Sequence, residues 1–322
     1  MTSATAPGKI ILFGEHAVVY GRPALAVPVF QVYARATVEE GEEKGIWIEA
    51  PQIGLAATLE ALGHDHPLAM AVELVFRSLG QSPQGQKLRL RVDSTIPVAS
   101  GLGSGAAVSV ALIRALSAHL GQPLPDEQVN ALAYEIEKIH HGTPSGIDNT
   151  VVTYGRAVYF VRGQAPQPFS IRGHFTLIIG DTGIPAPTRQ AVADVRRLWQ
   201  ADPKRYNALF DAIGEIVQEA RQALETGDGA RLGELMNANH ALLQELTVSS
   251  AELDALVEAA RGAGAWGAKL SGGGRGGNMI ALAAPQRAQE VAQALRLKGV
   301  SSVILSALGG NHESGVEGTG AL

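Results

Sequence analysis

One stretch limits what this chain can fold into more than any other: Pro97-Val98-Ala99-Ser100-Gly101-Leu102-Gly103-Ser104-Gly105-Ala106-Ala107. It follows a segment that alternates strictly, with Leu88, Leu90 and Val92 apolar and Lys87, Arg89 and Arg91 charged, and it opens the Ala-rich helical run 106–120. Alternation of that kind marks a strand with one face in the core and one in water, as in antiparallel or mixed sheets. A strand, a glycine loop and a helix in this order offer uncapped backbone N–H groups and the positive end of a helix dipole to an anion. Glycine permits the close backbone approach that a side chain would block. Phosphate suits such a loop; the plainer reading is a tight turn that feeds a core helix. The Walker pattern is absent, since no lysine closes the segment. Gly101, Gly103 and Ala106 match the dinucleotide pattern G-x-G-x-x-G/A, but about 20 residues later the chain is at a helix end near Gly121, not at a strand end carrying an acid.

Two further clusters share this texture. Glycine makes up 38 of 322 residues, about 12% against a usual share of about 7%. Five of these glycines fall within Gly272–Gly277, just after Lys269-Leu270-Ser271 and just before the strand-like run 279–282. This loop either wraps a ligand or is a flexible hairpin connection, and Arg275 within it either reaches a phosphate or points to solvent. The third cluster, His140-His141-Gly142-Thr143-Pro144-Ser145-Gly146-Ile147-Asp148-Asn149, is turn-rich and follows a helix. Asp148 taken alone reads as a turn former. His140 and His141 lie three and four residues after Glu137, on one helix face, yet without an H-E-x-x-H pattern they favour hydrogen bonding over zinc.

Composition removes other classes. The hydrophobic share of 46% and charged share of 18% describe a globular chain with enough apolar residues for a core. Its length makes two domains the prior. A net charge of −5 without a Lys/Arg run argues against nucleic acid or an anionic membrane as the main partner. The absence of cysteine excludes disulfides, thiol catalysis and Cys-ligated zinc. No apolar run reaches about 18 residues and no signal peptide is evident, so a cytoplasmic location is expected.

Periodicity places strands at 10–13, 18–20, 24–30, 31–37, 45–50, 87–93, 158–161, 174–180, 279–282 and 303–305. It places helices at 66–79, 106–120 and 127–139, then three amphipathic helices between 188 and 260, and a last one at 285–297. Strands followed by helices and a short closing sheet make an α+β chain in two halves that meet between about 165 and 185.

The motifs gain meaning from their order. Pro7-Gly8-Lys9-Ile10-Ile11-Leu12-Phe13-Gly14-Glu15-His16-Ala17-Val18-Val19-Tyr20-Gly21 comes first, then 97–107, 141–149 and 270–277. Together they resemble the GHMP small-molecule kinase superfamily, over nearly the whole chain. Asp181–Arg189 and Met236–Leu243 look like that family's C-terminal segments. The resemblance implies a two-domain α+β fold, with an N-terminal kinase domain (1–172), a ferredoxin-like C-terminal domain (173–310) and a flexible tail (311–322). It implies ATP and Mg²⁺ as cofactors, with phosphates along Ser94, Ala99, Ser100, Gly101, Leu102, Gly103, Ser104 and Gly105. Asp148 is similar to the family's catalytic aspartate, Lys9 to its paired lysine and Glu137 to its magnesium ligand. The family has a second serine where Gly105 stands, so Ser104 or a water takes over at the metal, or the metal site is weaker. Arg275 likewise replaces a small residue.

For the substrate, sugar kinases of the superfamily follow Gly-Glu-His with Thr-Asp, whereas here Ala17-Val18-Val19 forms an apolar wall. That suits a molecule with a methyl group and few hydroxyls. The resemblance therefore implies transfer from ATP to the 5-hydroxyl of mevalonate, with Glu15, His16 and Thr188 as substrate contacts and a homodimer as a plausible assembly. The alternatives are phosphomevalonate, galactose or homoserine as substrate, or a non-catalytic nucleotide-binding homologue.

Overall fold

The computed structural model describes residues 1–97, 101–141, 144–185 and 188–309, with 140 and 141 as backbone only. Ala99, Ser100 and the tail 311–322, all singled out above, lie outside the described residues. Among those described, the first half builds a mixed sheet from β1 (Thr2–Phe13), β2 (Ala24–Glu40), β3 (Gly45–Ala50), β4 (Leu55–Thr58), β5 (Lys87–Ser94), β6 (Val158–Phe160) and β7 (Gln167–Pro168). The order is β4-β3-β5-β2-β6-β7, with β1 paired along β2. The runs 24–30 and 31–37 thus fuse into one long strand, despite Pro28. β6 pairs with residues 24–26 and β5 with residues 34–40, so Pro28, which has no N–H to donate, falls where neither reaches. β5 is antiparallel to β2 and parallel to β3, with Leu88, Leu90 and Val92 buried and the charged residues between them exposed.

Residues 18–20 are not a strand. They lie in a 3₁₀ turn, Ala17–Tyr20, entered through His16 at φ 61. Val18 is buried in a small apolar cluster with Ile147 and Val151, and this tertiary burial overrides its β propensity.

Five helices accompany this sheet: α1 (Leu59–Leu62), α2 (Pro67–Ser78), α3 (Ser104–His119), α4 (Asp126–His141) and α5 (Ile147–Tyr154). α3 packs on β1 and β2 and is covered by α2 and α4, an all-round burial that its alanines make sterically possible. α5 corrects the turn reading of 140–149. The signal was present in Ile147, Val151 and Val152, at most 1% exposed and spaced for one helix face. Gly146, at φ 92, makes the left-handed entry into it.

The second half comprises β8 (Phe175–Asp181), α6 (Thr188–Ala201), α7 (Pro203–Thr226), α8 (Gly229–Glu245), α9 (Ala251–Gly262), β9 (Gly267–Ser271), β10 (Asn278–Ala283), α10 (Ala288–Leu297) and β11 (Ser302–Leu308). The strands form an antiparallel sheet in the order β11-β8-β10-β9, the ferredoxin-like arrangement. Asp202, Asp228 and Ser250 cap α7, α8 and α9 by accepting the N–H three residues on. Residues from both halves share one continuous core. No described helix is long and apolar enough to cross a membrane.

α8 lies unusually close to β9: a Cβ on Gly267 would stand 2.0 Å from the Gly233 carbonyl oxygen. Gly267→Ala must therefore push helix and strand apart. A loss of about 1–3 kcal/mol is expected, read as a lower urea midpoint; an unchanged midpoint would show that the two backbones are not in contact.

Candidate active site

Lys9 sits on β1 just past a register shift between Pro7 and Gly8. Its N–H donates to the Leu102 carbonyl at 2.9 Å, which ties the strand to the glycine loop. Gly103 adopts φ 73, and a Cβ there would meet Lys9 Cγ at 2.8 Å. Only glycine lets the loop lie on the lysine stem while turning left-handed into α3. Gly103 gives α3 no side-chain cap, so the first-turn amides of Ser104, Gly105 and Ala106 are left for an external acceptor. Leu102 adds only backbone here, its side chain being 2% exposed in the core. Ser94 Oγ accepts the Ile96 N–H at 3.1 Å and shapes the entry to the loop.

Asp148 occupies the first turn of α5. Its Oδ1 lies 3.0 Å from Lys9 Nζ, with side-chain exposures of 30% and 6% respectively. The base candidate is therefore reachable, while the ammonium that faces it is dry. The neighbouring Asn149 donates to Asn130 Oδ1 at 2.6 Å, which fixes α5 against α4. α4 contributes Glu137, 3% exposed. Burial and then the nearby Asp148 charge push the Glu137 pKa up to about 7, against the opposing pull of Lys9. Lys9, Glu137 and Asp148 thus form one electrostatic cluster. The described residues contain no group of three or more His, Asp or Glu placed to hold a metal. The side chains of His140 and His141 lie outside the described residues.

The Gly272–Gly277 loop joins β9 to β10 and is packed rather than loose. A Cβ on Gly273 would stand 2.9 Å from Thr188 Oγ1, and one on Gly274 1.9 Å from the Val248 carbonyl oxygen. His16, buried and at φ 61, donates from Nε2 to the Gly273 carbonyl at 3.1 Å. Since a carbonyl only accepts, this sets the neutral tautomer and leaves Nδ1 as an acceptor. Burial lowers the His16 pKa to about 4, and Arg275 and Lys269 push the same way. His16 and Thr188 are thus brought to the same glycine. Glu15, grouped with them above, is 1% exposed, and its carboxylate is committed inside the protein to Lys269.

Arg275 has a partner within the protein that the sequence reading did not weigh. At φ 62, its guanidinium bonds Asp194 of α6 and the Thr247 carbonyl. It therefore ties the helix that begins at Thr188 to the loop. Two residues escaped the sequence reading. Asn278 opens β10, with its amide nitrogen 3.9 Å from where a Gly101 Cβ would be. Lys269 is fully buried in β9; a lysine inside an otherwise apolar strand was its signal.

Comparison with known proteins agrees with this geometry. Residues 66–156 match the GHMP kinases N-terminal domain and residues 205–301 the GHMP kinases C-terminal domain. The mevalonate kinase of Pyrococcus horikoshii is 38% identical, over 92% of both chains. The crystal structure of L. major mevalonate kinase in complex with R-mevalonate superposes with a TM-score of 0.83 at 34% identity, covering 97% of each chain. A Lactococcus lactis galactokinase with galactose gives 0.76 at 21% identity, a likeness of fold alone.

The depressed His16 pKa has a definite sign. Unfolded, the ring titrates near 6.5; folded, near 4. The unfolded state gains the proton first as pH falls, so stability present above 6.5 drains away toward pH 4, by about 3 kcal/mol from this residue. His240, also lowered by burial, acts in the same direction. His16→Gln is expected to narrow the gap between urea midpoints at pH 7.5 and pH 4.5; an undiminished gap would place the acid sensitivity elsewhere.

Proposed function

This chain belongs to the mevalonate kinase family of the GHMP kinases, and from that premise we propose that it transfers the γ-phosphoryl group of ATP to the 5-hydroxyl of (R)-mevalonate. The observation that carries the reading is the Lys9–Asp148 contact at 3.0 Å, on a lysine held against the glycine loop that opens α3. A primary alcohol is a weak nucleophile, so the exposed carboxylate of Asp148 accepts its proton as attack proceeds. The Lys9 ammonium, 3.0 Å from that carboxylate, stabilises charge that develops on the phosphoryl group. The first-turn amides of α3 take the phosphates, which lie along Ser94 and residues 99–105.

The donor set fits a magnesium ion shared with a nucleotide. Glu137 is a buried carboxyl held up to about 7, and a cation beside it would return it to the charged form. Glu137 and the Ser104 hydroxyl are the residues that would hold the ion, while Gly105 contributes no side chain. Held there, a magnesium ion would supply positive charge to offset that on the transferred phosphoryl group.

His16 and Thr188 are the substrate contacts in this reading. Because His16 Nε2 is spent on Gly273, Nδ1 is the ring nitrogen left for a ligand, and in this tautomer it accepts from a hydroxyl. The same reading takes residues 1–172 and 173–310 as the two domains, a homodimer as the assembly and the cytoplasm as the compartment.

A coupled ADP-release assay over mevalonate, phosphomevalonate, galactose and homoserine tests the substrate, with turnover expected on mevalonate. Asp148→Asn is expected to lower kcat by roughly 10²–10⁴ without unfolding. Near-normal turnover in that variant would remove Asp148 from the role of base, and turnover on another alcohol would replace the substrate.

A further inference from the structure

We propose that Lys269 is a positioning residue for the substrate site: paired with Glu15, it holds the Gly14-Glu15-His16 turn so that His16 presents one fixed tautomer and orientation. The inference deepens the mevalonate reading and rests on it for the choice of substrate.

β9 is buried at every position. From one face of it, residues two apart reach the same short segment at the end of β1. Lys269 Nζ pairs with Glu15, both side chains having no exposure. Ser271 Oγ donates to the Ile11 carbonyl at 2.7 Å. The Gly273 carbonyl accepts from His16 at 3.1 Å. Lys269 is held in turn by the Leu270 carbonyl at 2.7 Å and lies 5.9 Å from the centre of the Phe13 ring. Behind the strand, His240 Nδ1 accepts the Leu270 N–H at 3.3 Å, and its Nε2 faces Asp254 at 3.1 Å, so the register of β9 is fixed from α8 and α9.

Stability does not account for the pair. A dry ion pair is commonly no better than two apolar side chains of equal size, and here one Glu15 oxygen, Oε2, is buried with no hydrogen-bond partner. Geometry does account for it. His16 is a non-glycine residue at φ 61, a conformation that persists only when its surroundings over-determine it. The Lys269 anchor on the preceding residue and the Gly273 anchor on the ring are two such determinants, and both come from one strand and its loop.

Lys269→Met alone strands a buried carboxylate and can fail to fold, so the decisive variant is Lys269→Met with Glu15→Met. This double variant is expected to unfold at a denaturant concentration close to that of the parent. Its KM for mevalonate should rise about tenfold or more, with kcat and the KM for ATP within about threefold of the parent, the pattern of lost substrate binding. In ¹⁵N NMR of the imidazoles without substrate, the parent should show His16 as a single Nε2–H tautomer and the double variant a mixture. An unchanged mevalonate KM with an unchanged His16 signal would overturn the proposal. So would a fall in kcat with parallel losses toward both substrates, since that is the mark of a general structural prop. If the parent does not phosphorylate mevalonate, the functional reading fails, and the His16 tautomer in the two proteins still decides whether Lys269 positions it.

Discussion

A lysine kept dry beside a reachable carboxylate is the contact on which the rest of this structure turns. Lys9 is 6% exposed and Asp148 30%, and the difference follows from what covers each. The stem of Lys9 is roofed by Gly103, where any side chain would collide with it. Asp148 stands in the first turn of α5 behind a left-handed glycine, where its side chain keeps part of its surface exposed. Removing the lysine would also remove the one charge that pulls the Glu137 pKa down against burial and the Asp148 carboxylate. The lysine that faces Asp148 is thus held in place by a glycine from a different segment.

Glycine serves two physical ends here. In the 101–105 loop it frees backbone N–H groups and permits a left-handed turn into α3. In the 272–277 loop it allows backbones to touch, with Gly273 against Thr188 and Gly274 against Val248. That second loop also carries Arg275, whose side chain acts as a tether between α6 and the loop through Asp194. His16 and Thr188, far apart in the chain, meet at Gly273, the ring at its carbonyl and the threonine where a side chain would otherwise stand.

Much of this was legible in the sequence. Strict alternation gave β5, the Ala-rich run gave α3, and three amphipathic repeats gave α7, α8 and α9, because each pattern reflects a single face packed on the core. The motif residues Lys9, Glu137 and Asp148 were also legible, but only as an ordered set, since proximity across 139 positions of chain leaves no local trace. What stayed hidden was decided by tertiary contacts. The 3₁₀ turn at 17–20 exists because Val18 packs against α5. α5 was masked by the turn-forming residues around it. Lys269 looked like part of a glycine-loop preamble, and its partner lies 254 residues away. Arg275 showed no preference between phosphate and water in the sequence, because the acid that captures it belongs to another helix.

The end of β1 carries attachments to both halves within a few residues. The Lys9 amide is bonded to the glycine-loop carbonyl of Leu102, and the Ile11 carbonyl to Ser271 of the second sheet. A swing of one half relative to the other would therefore have to pivot about this strand end or break one of these bonds. Any relative motion of the halves that keeps both bonds then has its axis along the end of β1.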